Sequence, residues 1–165
     1  MTVVADLNRL LLRELATFRR EVELFPDDAS LWRTAPGVTN SAGNLALHIA
    51  GNLRHFVGTV LGGTGYVRNR DAEFGAKEGT RASVVQELEA AESEVAATLA
   101  KLDDAALQQA YTQGPKGVDV TAQRWLIHLA SHAAFHLGQA GYLRRIVTGN
   151  GATADTVSVK VLNEP

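Results

Sequence analysis

The chain contains no cysteine. A disulfide, a thiolate-bound metal and a nucleophilic thiol of its own are thereby excluded, and any thiol chemistry needs a thiol from outside. No stretch of about 18 or more apolar residues occurs, so no membrane-spanning helix is expected. Neither sign of charge dominates: 16 Lys and Arg stand against 18 Asp and Glu, a formal net charge of -2. Without a basic excess or stripe, a nucleic-acid partner is not expected. The start, Met1-Thr2-Val3-Val4-Ala5-Asp6, lacks the basic segment and apolar run of a signal peptide, which makes the cytoplasm the default expectation. No internal repeat or low-complexity segment is visible.

What is present is a chain of 165 residues, 45% of them hydrophobic. That suffices for one continuous core, and a single domain spanning 1–165 is expected. Four segments show helical periodicity. The first carries Val4, Leu7, Leu11, Leu15, Phe18 and Val22 and stops before Pro26. The second runs from Ser41 to Leu61 with the stripe Leu45, Ile49, Leu53, Phe56 and Val60. Thr39, Asn40 and Ser41 all offer a capping oxygen to it, and Gly62-Gly63-Thr64-Gly65 ends it. The third runs from Arg81 to Leu102 with Val84, Leu88, Ala91, Val95, Leu99 and Leu102 in register. Either Thr80 or a Ser83–Gln86 capping box starts it. A short helix from Ala105 to Ala110 follows, capped by Asp103 or Asp104, and Gly114-Pro115-Lys116-Gly117 then breaks the chain. The fourth runs from Thr121 to Val147 and closes at Gly149-Asn150-Gly151. The alternating tail Thr156–Val161 reads as a short extended segment. The fold class is therefore all-α, a four-helix bundle. The long connection from Gly62 to Thr80 permits an order other than simple up-and-down.

All five histidines fall on the second or fourth helix. His132 and His136 are four residues apart, which places them one turn apart on one helical face. They lie in the stripe Trp125, Leu129, His132, His136, Gln139 and Leu143, which reads as pointing inward. His48 lies in a comparable stripe with Leu45, Ile49, Asn52 and Phe56. Buried imidazoles need partners, and three at one level can share one divalent ion. Three histidines with an open position suit a borderline ion such as Zn, Ni, Fe or Co, with water or a substrate atom completing the shell. The competing reading is ordinary core histidines with hydrogen bonds. Gln139 and Asn52 are candidates for orienting the ligands, Gln139 alternatively packing between helices. His55 and His128 fall at one level if the second and fourth helices are antiparallel. They either meet one layer from the site or are separate surface histidines.

These residues sit in segments with a familiar look. Asn44-Leu45-Ala46-Leu47-His48-Ile49-Ala50-Gly51-Asn52-Leu53 resembles the second-helix motif of the DinB-like superfamily. His132-Ala133-Ala134-Phe135-His136-Leu137-Gly138-Gln139 resembles its closing motif, and Tyr66–Phe74 resembles the loop after its second helix in one branch. The resemblance implies an up-down-down-up bundle, a metal site formed by His48, His132 and His136, and often a homodimer. Some relatives are bacillithiol transferases or mycothiol-dependent isomerases, and many have no known activity. The expected function is thus metal-dependent transfer of a low-molecular-weight thiol to a small electrophile. Metal-dependent hydrolysis and a non-catalytic metal-binding or dimerisation module are the alternatives. Arg68, Arg70, Asp71 and Glu73 are expected at the mouth of the site, where an Arg would suit a carboxylate. Otherwise they form a solvated charged loop.

Overall fold

Each long helix begins at a side-chain oxygen. Thr2, Ser41, Thr80 and Thr121 adopt extended backbone and accept the N–H groups of Ala5, Asn44, Ser83 and Arg124. One otherwise unpaired donor of each first turn is thereby satisfied. The computed structural model describes residues 2–114 and 119–154. In chain order the helices are α1 (Val3–Glu23), α2 (Asp28–Leu31), α3 (Ala42–Leu53) with a π-helical continuation (Arg54–Thr59), α4 (Arg70–Gly75), α5 (Arg81–Leu99), α6 (Asp104–Leu107) and α7 (Ala122–Thr148). Among the described residues the only pairing of strand type is an isolated antiparallel bridge between Ala110 and Thr121. The expected extended segment Thr156–Val161 lies outside the described residues.

The core sits between the four long helices. α1 packs on α5 and α7, and α3 packs on the same two. All six apolar positions expected on α1 are buried, as are Val84, Leu88, Ala91, Val95 and Leu99 of α5. Cross-helix pairs fix the registers. Arg19 on α1 meets Glu89 and Glu92 on α5, while the backbone N–H groups of Val3 and Val4 donate to Asp104 beyond the far end of α5. After α3, Gly58 abuts Glu94 and Gly62 abuts Thr98. Glu21 on α1 accepts Nε of the fully buried Arg144 on α7 at 2.5 Å. Arg144 also donates to the carbonyls of Asn150 and Ala152, which ties down the segment after α7.

The structure corrects several expected boundaries. The second helix is not a uniform α-helix to Leu61. From Arg54 it widens, with Val60 N–H donating to His55 O and Gly62 N–H to Val57 O, both at 3.0 Å. A wider turn shifts the inward position by one residue. Val57 is therefore buried, while Phe56 and Val60, expected in the stripe, are only half-buried. α5 ends at Leu99, three residues early, and Thr80 caps it; Ser83 donates to the Thr80 carbonyl instead of capping. The short helix is Asp104–Leu107, capped by Asp103. Two elements had no periodicity to announce them: α2, one turn capped by Asp27, and α4, inside the connection read as loop.

Candidate metal centre

α3 and α7 run antiparallel along their seam. His48 lies opposite His132, and two turns on, the Phe56 ring meets Trp125 edge-on at 5.3 Å. This register brings three imidazoles to one level. The Nε2 atoms of His48 and His132 are 3.3 Å apart, and those of His136 and His132 are 3.0 Å apart. Ligand nitrogens of all three lie within 4.8 Å of one another. A divalent zinc held at about 2.0–2.1 Å by tetrahedral nitrogens would separate them by about 3.3 Å. The spacing fits such an ion.

The far nitrogens decide which atoms face inward. His48 Nδ1 lies 3.0 Å from Glu73 Oε2, and His136 Nδ1 lies 2.7 Å from Gln139 Oε1. A carboxylate and an amide oxygen can only accept, so both Nδ1 atoms carry a proton, and in the neutral imidazoles both Nε2 atoms present lone pairs. Two bare nitrogens directed at a third without a cation between them would repel. His132 Nε2 can donate to one of them at most. Such a donor set suits a cation, and His48, His132 and His136 could hold one metal ion.

Glu73 was expected at the mouth of the site. It is instead 6% exposed and stands directly behind His48. Its placement is built from α3 and α4 together. Asn69 caps α4, and Asn44, itself in a reciprocal capping pair with Ser41, donates to the carbonyls of Glu73 and Ala76. Gly51 lies beneath the carboxylate, where any Cβ would collide with Oε1. Arg68 closes the chain: its Nε donates to Oε1 at 2.7 Å and its Nη2 to Oε2 at 2.8 Å. Arg68 Nη2 also approaches His48 Nδ1 at 3.1 Å, but two protonated nitrogens make no hydrogen bond, and both donate to Oε2. Burial would raise the Glu73 carboxyl, yet hydrogen bonds from Arg68 and His48 outweigh it and hold it below its ordinary range. Phe74 covers the His48 ring at 4.7 Å.

The other named residues fall at different depths. His132 and His136 are half-buried and Gln139 is exposed at the edge of the seam, while Trp125, Leu129 and Leu143 of the same stripe are buried in the core as expected. Burial, reinforced by His136, His48 and His128, pulls the His132 imidazole down to about 4. Burial also lowers His136, against the hydrogen bond to Gln139. His132 Nδ1 and Asn52 Oδ1 are both buried without a hydrogen-bond partner. His128 is exposed and stacks on His132 with centroids 5.9 Å apart, while His55 packs edge-on against Phe56. No ring contact joins His55 to His128. Arg70 and Asp71 are exposed, Arg70 lying over Phe74 at 4.9 Å.

Comparison with known proteins agrees with this architecture. The chain aligns over 91% of its length with the crystal structure of a conserved protein of Enterococcus faecalis, covering 99% of that chain at 19% identity and a TM-score of 0.72. That likeness is one of fold. A search of the curated proteins finds no match. Among the described residues no helix is long and apolar enough to cross a membrane. The sequence itself matches the DinB superfamily profile over residues 10–140, a span that contains His48, Glu73, His132 and His136, and the chain belongs to the DinB superfamily.

Proposed function

We propose that this chain is a metal-dependent enzyme that transfers a low-molecular-weight thiol to a small electrophile. The observation that carries the reading is the convergence of three imidazole Nε2 atoms, two of them held as bare acceptors by Glu73 and Gln139. One divalent ion (zinc, nickel or iron) held by neutral ligands keeps its charge and lowers the pKa of a bound thiol. The chain has no cysteine, so the thiol is a co-substrate. Its proton passes to solvent. Its sulfur pair then forms the new bond to carbon, and the leaving group departs with the bonding pair.

The residues around the cluster have separate tasks in this reading. Glu73, fixed by Arg68, orients His48, and Gln139 orients His136. Asn52 follows His48 by one turn on α3, and we assign its buried Oδ1 as the acceptor for His132 Nδ1 through one bridging water. Arg68 is occupied by Glu73, which leaves the exposed Arg70 to meet a carboxylate of the thiol. We also read the helices in the order up-down-down-up; the registers of Arg19 with Glu89, Gly58 with Glu94 and His48 with His132 support it. A homodimer in solution belongs to the same reading.

The test is metal content and turnover of untagged protein. About one equivalent of divalent metal is expected, together with consumption of a chlorinated electrophile that depends on added bacillithiol, mycothiol or glutathione. Turnover independent of thiol would replace transfer by hydrolysis. Absence of metal uptake would remove the enzyme reading altogether.

A further inference from the structure

A recess of about 390 Å³ opens one turn of α7 beyond His136, between the loop after α2 and the C-terminal half of α7, lined by none of the three histidines. Its floor is Leu45 and Leu143, both buried, and its rim is Val38, Tyr142 and Ile146, all exposed. Gln139 is the wall it shares with the metal centre, the same side chain whose Oε1 receives His136 Nδ1. Leu45 precedes His48 by one turn of α3. No charged side chain lines the recess, and its polar groups are neutral hydroxyls and amides. The other flank of the cluster is the opposite, with Glu73, Arg68 and Arg70 around His48 and Phe74.

We infer that this groove holds the apolar body of a neutral substrate whose reactive end lies at the histidine cluster. The volume falls within the range of small-molecule sites. An ion placed there would lose its hydration without gaining a partner, whereas an aryl or branched alkyl group would gain from burial against Leu45, Leu143 and Ile146. The division of labour is then spatial. The charged flank meets the thiol co-substrate and the apolar groove meets the electrophile. This assignment rests on the proposed metal centre, and the experiment separates the two.

The probe is neutral naphthylmethanol, titrated into the cobalt-loaded full-length protein by calorimetry while the cobalt absorption is recorded. One probe per chain is expected, with a change in the cobalt spectrum. Ile146→Asp and Tyr142→Ser, both at exposed rim positions, are each expected to weaken binding by about tenfold. Ile127→Asp, exposed on α7 outside the recess, is expected to leave it unchanged. His132→Ala is expected to lose the ion and still bind the probe, so failure of the metal reading does not mask the groove. No binding to the parent protein, or equal binding by the two rim variants, would overturn the inference. So would binding without any change at cobalt. Loss of a dimer in Ile146→Asp with probe affinity per chain unchanged would reassign the groove as an interface between copies.

Discussion

His48 reaches the cluster from α3 with a buried carboxylate behind it, and that carboxylate is gripped by both nitrogens of an arginine fork. His132 and His136 reach it from α7 with weaker support. A neutral, exposed amide stands behind His136, and no hydrogen bond reaches His132 Nδ1. The two mounts do different work. A carboxylate partner fixes a ring and raises its basicity, whereas helical spacing alone sets two rings at one level without locking either. The α3 side is the more firmly held part of the cluster, and the α7 side is the part with fewer fixed partners.

The strongest way to break this comparison is to remove a ligand. His132 sits between the other two nitrogens, so His132→Ala leaves only two imidazoles to hold an ion. Metal affinity is expected to fall well beyond the roughly 10–100-fold typical of outer partners. Metal analysis after dialysis checks it, and full retention would mean that other residues bind the ion.

Glu73→Gln sharpens the comparison at the anchor. It removes the charge that pairs with Arg68, keeps the size, and leaves an amide that can still accept from His48. A loss of about 10–100-fold in metal affinity is expected. Leaving the half-buried Arg68 without its charged partner is expected to lower stability by about 1–3 kcal/mol. Gln139→Ala on the α7 side is expected to do less of both, because the amide is neutral and exposed. Equal effects from the two variants, measured by competitive chelation and denaturant melts, would erase the distinction between the mounts.

How far the site could be read in advance follows the same division. The α7 pair was legible because both histidines sit on one helix and spacing alone aligns them. His48 was legible because a core-facing stripe carried it to the same seam. Glu73 was visible as a charged residue, but nothing local showed it turning inward. Its position depends on Asn44 holding the end of α4 and on the missing side chain of Gly51, contacts 29 residues apart in the first case. The π-turn after Leu53 was also hidden, since a periodicity reading assumes one pitch throughout. The wide-turn hydrogen bonds and the burial of Val57 in place of Phe56 reveal the slip. Arg144 was hidden for a related reason: a charged residue on a helix reads as outward until Glu21 and two carbonyls are found around it.

Acid separates the mounts in a third way. His132 takes a proton near 6.5 in the unfolded chain but only near about 4 in the folded one. Between those values the unfolded state holds more protons, so stability falls as pH falls. His136 is shifted in the same direction. Glu73, held below its ordinary range, adds a loss of the same sign at still lower pH. The Tm of chelated protein is expected to stay level above pH of about 6.5 and to decline towards about 4. His132→Ala is expected to flatten that decline. A Tm that rises on acidification through this interval contradicts the assignment.

The smallest effects concern the residues nearest His132. Asn52→Ala removes an unpaired acceptor on the facing helix, and a loss of about tenfold in metal affinity is expected if it orients Nδ1. Asn52→Asp keeps an acceptor and is expected to restore most of it. His128 is the control. It stacks flat on His132 at 5.9 Å with its own ring exposed, so it offers contact without a hydrogen bond to either ring nitrogen. His128→Ala is therefore expected to change metal affinity by less than about threefold, near the limit of a lost stacking contact. A larger loss would mean that His132 is held by ring contact and not by an acceptor. The α7 mount would then be a stack of imidazoles, a different device from the carboxylate behind His48.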